Sequence, residues 1–268
     1  MKIAFIGGGV MAEAILRGIL ANGIAAPKDV CVGEPVAARR QYLERQHSVR
    51  ATADNKEAVR NGEMVVLSIK PQNLPEVLAE LGGAMNSEQA VLSIIAGARM
   101  ETLSAGLRHK SVVRVMPNTP AQIGAGMSLW LASDGVSETF RSVTRDILRT
   151  LGEEMEVHDE KYLDMATALS ASGPAYVFLF IESLIDAGVY MGMSRDMARA
   201  LAVQTVLGST MLVKETGKHP AELRDMVTSP GGTTAEALRA FEEGRFRATV
   251  LDAVVAAYEK SKRLGEQK

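Results

Sequence analysis

With 268 residues, 47% of them hydrophobic, the chain has enough length and apolar content for two domains of ordinary size. Thirty Lys and Arg against 32 Asp and Glu give a formal charge of −2, with no dense basic run to track a phosphate backbone, so no nucleic-acid partner is expected. Cys31 is the single cysteine, which rules out an internal disulfide, and no apolar run approaches the ~18 residues of a membrane span; a soluble cytoplasmic protein with no membrane partner is expected.

Lys2 to Ile6 reads as a strand, Gly7-Gly8-Gly9 as a turn, and Met11 to Leu20 has helical spacing. Glu13, Arg17 and the three glycines break up what would otherwise resemble a signal peptide. Gly7, Gly9 and Ala12 fit G-x-G-x-x-G/A, in which the first glycine makes the turn, the second admits a pyrophosphate and the small third residue lets helix pack on strand. The alternative is an ordinary turn. Asn22-Gly23 ends the helix, and Val30 to Val32 forms a second strand that leads through Gly33-Glu34-Pro35 into a helix from Ala37 to Gln46. Glu34 falls where a dinucleotide fold places its adenosine-ribose contact. Arg39 and Arg40, one turn on, could hold the extra phosphate of NADP; equally, all three can be solvated surface charges.

Val49-Arg50 is strand-like, Asn55 to Asn61 helical, and Met64 to Ile69 a strong apolar strand. Pro71 keeps Lys70 out of helical geometry, which puts its side chain at the carboxyl edge of the sheet, as a ligand contact or a plain surface charge. Next come a strand Ala90 to Ile95, the turn Ala96-Gly97, a helix Arg99 to Gly106, and a strand Val112 to Met116 closed by the rigid loop Pro117-Asn118-Thr119-Pro120. A strand Met127 to Leu131, an amphipathic helix Ser137 to Leu151 and a short strand Met155 to Val157 complete the half. The alternation predicts a mainly parallel sheet with helices on both faces over residues 1–160.

Beyond His158 no strand follows, so residues 161–268 are expected to be all helical. Ala175 to Gly188 is apolar on nearly every face and the half is too short to bury it, which predicts a homodimer. Gly217 stops one helix and His219-Pro220 opens a short one. In DMVTSPGGTTAEALRAF, Asp225 to Phe241, Thr233 and Glu236 read as a capping box that leaves the amides of Thr234 and Ala235 unpaired, a terminus suited to an anion. Gly231 and Gly232 allow close approach, and Ser229, Thr233 and Thr234 add hydroxyls, a set that fits a carboxylate; the other reading is a turn followed by a cap. The four histidines are scattered, so no metal is expected, and neither a nucleophile elbow nor a Walker A loop is present.

Five motifs together resemble pyrroline-5-carboxylate reductase along nearly the whole chain: FIGGGVMAEAI from Phe5, SIKPQ from Ser68, RVMPNTP from Arg114, SASGPAYVF from Ser170 and LRDMVTSPGGTTAEAL from Leu223. The resemblance implies a Rossmann domain at 1–160, a helical dimerisation and substrate-binding domain at 161–268, possible assembly into a higher oligomer of dimers, and NADPH- or NADH-dependent reduction of 1-pyrroline-5-carboxylate to L-proline. It also implies site roles. Gly7, Gly9, Val10 and Met11 match the phosphate turn, Asn55 and Lys70 the cofactor cleft, and Asn118 a position near the nicotinamide. Ser229, Gly231, Gly232, Thr233 and Thr234 match the substrate-carboxylate loop, with Thr234 the candidate hydroxyl nearest the ring nitrogen. Two departures stand out: Ala171 replaces a glycine, and Glu34 replaces the small polar residue of NADP-preferring members. The rival readings are a related imine or β-hydroxyacid reductase and a non-catalytic NAD(P) sensor.

Overall fold

The structure, a computed structural model, describes residues 1–266. Its first unit holds eight strands, β1 (Ile3–Ile6), β2 (Val30–Gly33), β3 (Arg50–Thr52), β4 (Met64–Leu67), β5 (Ala90–Ser93), β6 (Val112–Met116), β7 (Gly126–Ala132) and β8 (Gly152–Glu156). They form one sheet in the order β3-β2-β1-β4-β5-β6-β7-β8, parallel throughout except where β7 runs against β6. The order reverses at β1, so the carboxyl ends of β1 and β4 flank the switch point at which such sheets bind ligands.

Helices α1 (Val10–Ala21), α2 (Ala37–His47), α3 (Asn55–Val59), α4 (Leu74–Leu81), α5 (Met100–Leu107) and α6 (Glu138–Arg149) cover both faces. The pleat of β1 divides the core: Ile3 and Phe5 pack with Ile15 and Ile19 of α1, Leu43 of α2 and Ile147 of α6, whereas Ala4 and Ile6 pack with Val59 of α3, Val77 of α4 and Leu103 of α5. Helix α4 has no counterpart among the expected elements, although Leu74, Val77 and Leu81 have helical spacing. Strand β8 begins at Gly152, three residues before the expected Met155. Among the described residues it pairs only with β7, and such an edge strand carries charged residues that hide its start.

Helix α7 (Lys161–Ala166) continues through a π-helical turn at Thr167–Ala171. By contacts the first unit comprises Met1–Ser172 and the chain from Ala257 onward, and the second comprises Gly173–Ala256. In the second unit lie α8 (Gly173–Tyr190), α9 (Arg195–Thr216), α10 (Pro220–Met226), α11 (Thr233–Glu243) and the start of α12 (Phe246–Glu266). Gly188 lets α8 and α9 cross closely, since a Cβ there would come within 2.7 Å of the Ala198 methyl. The Phe241 ring meets that of Phe246 in a tilted arrangement at 5.1 Å, and Phe246 also meets Phe180 of α8 at 6.2 Å. Much apolar surface of this unit is uncovered, including Phe178, Leu179, Leu201 and Met211.

The run Lys161–Tyr190 is, by length and composition, long and apolar enough to cross a membrane. The sequence alone showed no such span. Helix α8 alone has 18 residues, but Glu182 and Asp186 interrupt its apolar sequence, so no continuous apolar run marks it.

Candidate active site

The glycine turn between β1 and α1 has nearly all its polar groups assigned. Gly7 N–H donates to Gly33 O at 2.8 Å, and Gly7 O accepts from Ser68 Oγ at 2.8 Å. Gly8 N–H donates to Glu34 Oε2 at 2.9 Å, and Gly8 O accepts from Arg39 Nε at 2.6 Å. Gly9 O accepts from Glu13 N–H at 2.9 Å, in the first turn of α1. What is left over is a run of donors: among the described residues no acceptor meets the amides of Gly9, Val10 and Met11.

The three glycines are not equivalent. Gly7 has φ +94°, and a Cβ there would lie 2.8 Å from Ser68 O. A Cβ on Gly8 would lie 2.7 Å from the Leu43 side chain, whereas one on Gly9 would meet nothing within 4 Å. Glycine is therefore required at Gly7, by its backbone angle and the Ser68 carbonyl, whereas at Gly8 a Cβ would displace the Leu43 side chain. Gly9 faces open space beside unpaired amides at a helix N-terminus, and that donor-lined hollow fits a dinucleotide pyrophosphate.

Glu34, just past β2, is buried, and its second carboxylate oxygen accepts Val36 N–H at 2.9 Å. Neither neighbouring arginine is a free surface cation: Arg40 donates to Glu34 O and Pro35 O, both at 2.8 Å, and Arg39 reaches back over the glycine turn. Asn55 opens α3 with its side chain against Gly33 and donates to Glu80 at 2.7 Å. Lys70, after β4, is exposed and makes no ion pair among the described residues. Gly7, Gly9, Val10, Met11, Glu34, Asn55 and Lys70 thus follow the carboxyl ends of β1, β2, β3 and β4, in the loops there or in the first turns of α1 and α3.

Asn118 stands apart from that group. It lies beyond β6, accepts from Met127 N–H at 2.9 Å, and donates at 3.3 Å to both O and Oγ of Ser170 in the π-helical turn. Ser68 and Arg114 hold this region together through contacts that no local motif marks. Ser68 holds Gly7 and Ile6 by their carbonyls. Buried Arg114 pairs with Glu160, whose same oxygen accepts Met100 N–H at 2.6 Å. An arginine inside the apolar run VVRVM was the available sign of a buried partner.

In the second unit the expected capping box is not formed. Gly232, with φ −82° and ψ 169°, is the N-cap of α11, and its carbonyl accepts Ala235 N–H at 3.1 Å and Glu236 N–H at 3.3 Å. Glu236 pairs with Arg239 instead. Gly231, at φ +66°, turns the chain so that Gly232 takes the cap, one residue earlier than the sequence pattern suggests. The amides left without an acceptor among the described residues are consequently those of Thr233 and Thr234. Ser229 and Gly231 are exposed, and Thr234 is half-buried. Among the described residues no group of three or more His, Cys, Asp or Glu could hold a metal ion.

The family model for pyrroline-5-carboxylate reductase dimerisation matches residues 160–264, and one described as NADP oxidoreductase, coenzyme F420-dependent, matches 2–97. A pyrroline-5-carboxylate reductase of Synechocystis is 44% identical over 100% of this chain and 99% of its own. The chain belongs to the pyrroline-5-carboxylate reductase family. Among solved members, the Plasmodium falciparum enzyme with NADP bound is 35% identical with a TM-score of 0.90, covering 99% of this chain and 98% of its own. The Coxiella burnetii enzyme is 34% identical with a TM-score of 0.89, covering 98% of each chain. In this reductase family the region around the uncovered helices of the second unit carries a dimerisation domain, which accounts for apolar surface that the chain alone leaves in water.

Proposed function

We infer that this protein reduces 1-pyrroline-5-carboxylate to L-proline with NADPH or NADH. The observation that carries the inference is a full-length relationship to reductases of that name, in a chain with two separate hollows of anion donors. Gly7, Gly9, Val10 and Met11 would hold the pyrophosphate, Glu34 would meet the adenosine ribose, and Asn55, Lys70 and Asn118 would line the rest of the dinucleotide path. Ser229, Gly231, Gly232, Thr233 and Thr234 would take the substrate carboxylate on amides and hydroxyls. A dinucleotide sensor would have no use for that second anion loop.

When bound, the nicotinamide supplies the hydride. The chain's own contribution is positional, because a protonated cyclic imine is already electrophilic at carbon and accepts hydride to give the neutral ring amine without a metal or a nucleophile. Thr234 would orient the ring nitrogen; a threonine hydroxyl is too weak an acid to be the source of its proton at neutral pH. The uncovered faces of α8 and α9 would form a homodimer, with further association of dimers possible by symmetry. The same pairing gives the Lys161–Tyr190 stretch a protein partner in place of a membrane, consistent with a cytoplasmic enzyme.

Steady-state turnover of 1-pyrroline-5-carboxylate with each reduced cofactor, with proline identified as product, tests the reading. Cofactor binding without turnover would favour the sensor. Turnover only of other imines, or of β-hydroxyacids in reverse, would favour a sister reductase.

A further inference from the structure

Arg39 crosses from α2 to the glycine turn and is fastened at both ends. Its Nε donates to Gly8 O at 2.6 Å and its Nη2 reaches Gly9 O at 3.4 Å. The same Nη2 pairs with Glu13 Oε2 on α1 at 2.6 Å. Glu13 is held in turn, because its other oxygen accepts Tyr42 O–H at 3.2 Å and lies 3.0 Å from His47 Nε2. The Arg39 guanidinium also sits 4.8 Å over the Tyr42 ring. Glu13 and His47 are largely buried, so this is a built network between two helices. Burial pushes the Glu13 carboxyl up, but hydrogen bonds from Arg39 and His47, the Arg39 charge and the Tyr42 hydroxyl outweigh it and hold the carboxyl below its ordinary range.

A peptide plane carries its C=O and its N–H on opposite edges. A cation that draws the carbonyls of Gly8 and Gly9 toward itself therefore turns the amides of Gly9 and Val10 the other way. Those two amides, with Met11, are the turn's unpaired donors. The cation also polarises the two peptides, which strengthens the N–H groups as donors to an anion.

We propose that Arg39 is a positioning residue for the pyrophosphate cradle, gripping the glycine turn by its carbonyl side so that the turn's amides face the cofactor, with Glu13 as its anchor. The proposal rests on the dinucleotide reading of the turn. It gives Arg39 a role common to NADH and NADPH, in place of a fork on the 2′-phosphate that only NADPH carries. The two roles separate in a binding experiment.

Dissociation constants for NADH and NADPH are measured by nucleotide fluorescence on the parent and on Arg39→Ala, Arg39→Lys and Glu13→Gln, together with kcat and KM. Under the proposal Arg39→Ala weakens both nucleotides by the same factor, about ten-fold for the loss of charge-assisted hydrogen bonds that order the turn. At saturating cofactor, kcat and the KM for the imine acid stay within about two-fold, a split that a general loss of structure would not give. Arg39→Lys recovers part of the affinity for both nucleotides, and Glu13→Gln weakens both. If Arg39→Ala fails to fold, Arg39→Lys and Glu13→Gln still decide, since a 2′-phosphate reader released from Glu13 would bind NADPH more tightly. A selective loss of NADPH in Arg39→Ala, or no change for either nucleotide, overturns the proposal. A parent that binds neither nucleotide overturns the dinucleotide reading itself.

Discussion

Replacing Glu34 by serine should change two separately measurable quantities. The carboxylate is buried and accepts two amides, from Gly8 and Val36, both at 2.9 Å. Serine is too short to reach them. Each hydrogen bond to a charged acceptor contributes about 1.5–3 kcal/mol, and relief of the carboxylate's burial offsets part of the loss, so a net cost of about 2–3 kcal/mol is expected. At ~2–4 °C per kcal/mol for a domain of this size, the melting temperature should fall by roughly 5–10 °C. The second effect is on cofactor preference. A 2′-phosphate placed about 4 Å from the carboxylate would be repelled by ~4 kcal/mol per unit charge pair at an effective dielectric near 20, before screening. Even a quarter of that, about 1 kcal/mol, is roughly five-fold in an equilibrium. The assay is kcat/KM with NADPH and with NADH in parent and variant, paired with thermal melts at one fixed protein concentration. The NADPH to NADH ratio should rise at least about five-fold. A lowered melting temperature with an unchanged ratio would reduce Glu34 to a fastening of the glycine turn, and an unchanged melting temperature would contradict the two amide bonds.

Thr234→Ala should lower kcat/KM for 1-pyrroline-5-carboxylate by about ten- to a hundred-fold, the worth of one hydrogen bond to a charged group, and leave nucleotide affinity intact; equal losses for both ligands would remove Thr234 from the substrate loop. The melting midpoint should rise with protein concentration if, as proposed, the uncovered faces of α8 and α9 fold against a second copy; a stable folded monomer in light scattering at micromolar concentration would refute this. Gly9→Ala should melt like the parent but bind nucleotide roughly ten-fold more weakly, at about 1–3 kcal/mol of crowding in the cradle, whereas Gly7→Ala, at φ +94° and against Ser68 O, should lower stability as well. Glu13 titrates below its ordinary value of 4.5 in the folded protein, so its contribution is complete above that value and is lost as pH falls through the folded pKa. Urea midpoints of parent and Glu13→Gln should therefore differ at about pH 7, and the difference should narrow only as the pH falls below 4.5.

Local chemistry made much of the protein legible in its sequence. A strand, a glycine turn and an apolar helix in succession at the N-terminus could be little else, because periodicity and glycine act over a few residues. The change from alternating strands to helices near residue 160 was equally plain, and so was the lack of cover for α8, whose apolar residues fall on every face. Where the sequence reading slipped, one local signal had overridden another. Thr233 looks like a cap until Gly231 turns the chain at φ +66° and hands the position to Gly232.

The roles of the polar side chains needed the tertiary structure. Glu34 and Arg39 read as an acid and a base competing over a ribose, yet in the fold their partners include backbone groups 26 and 31 residues away in the glycine turn. Asn118 reaches across 52 residues to Ser170. Sequence spacing determines which face a residue occupies, and so it determined the sheet and the helical half. Which donor meets which acceptor depends on how the strands are ordered, and the order that sets β1 between β2 and β4 brings Glu34 and Ser68 to the two sides of one turn.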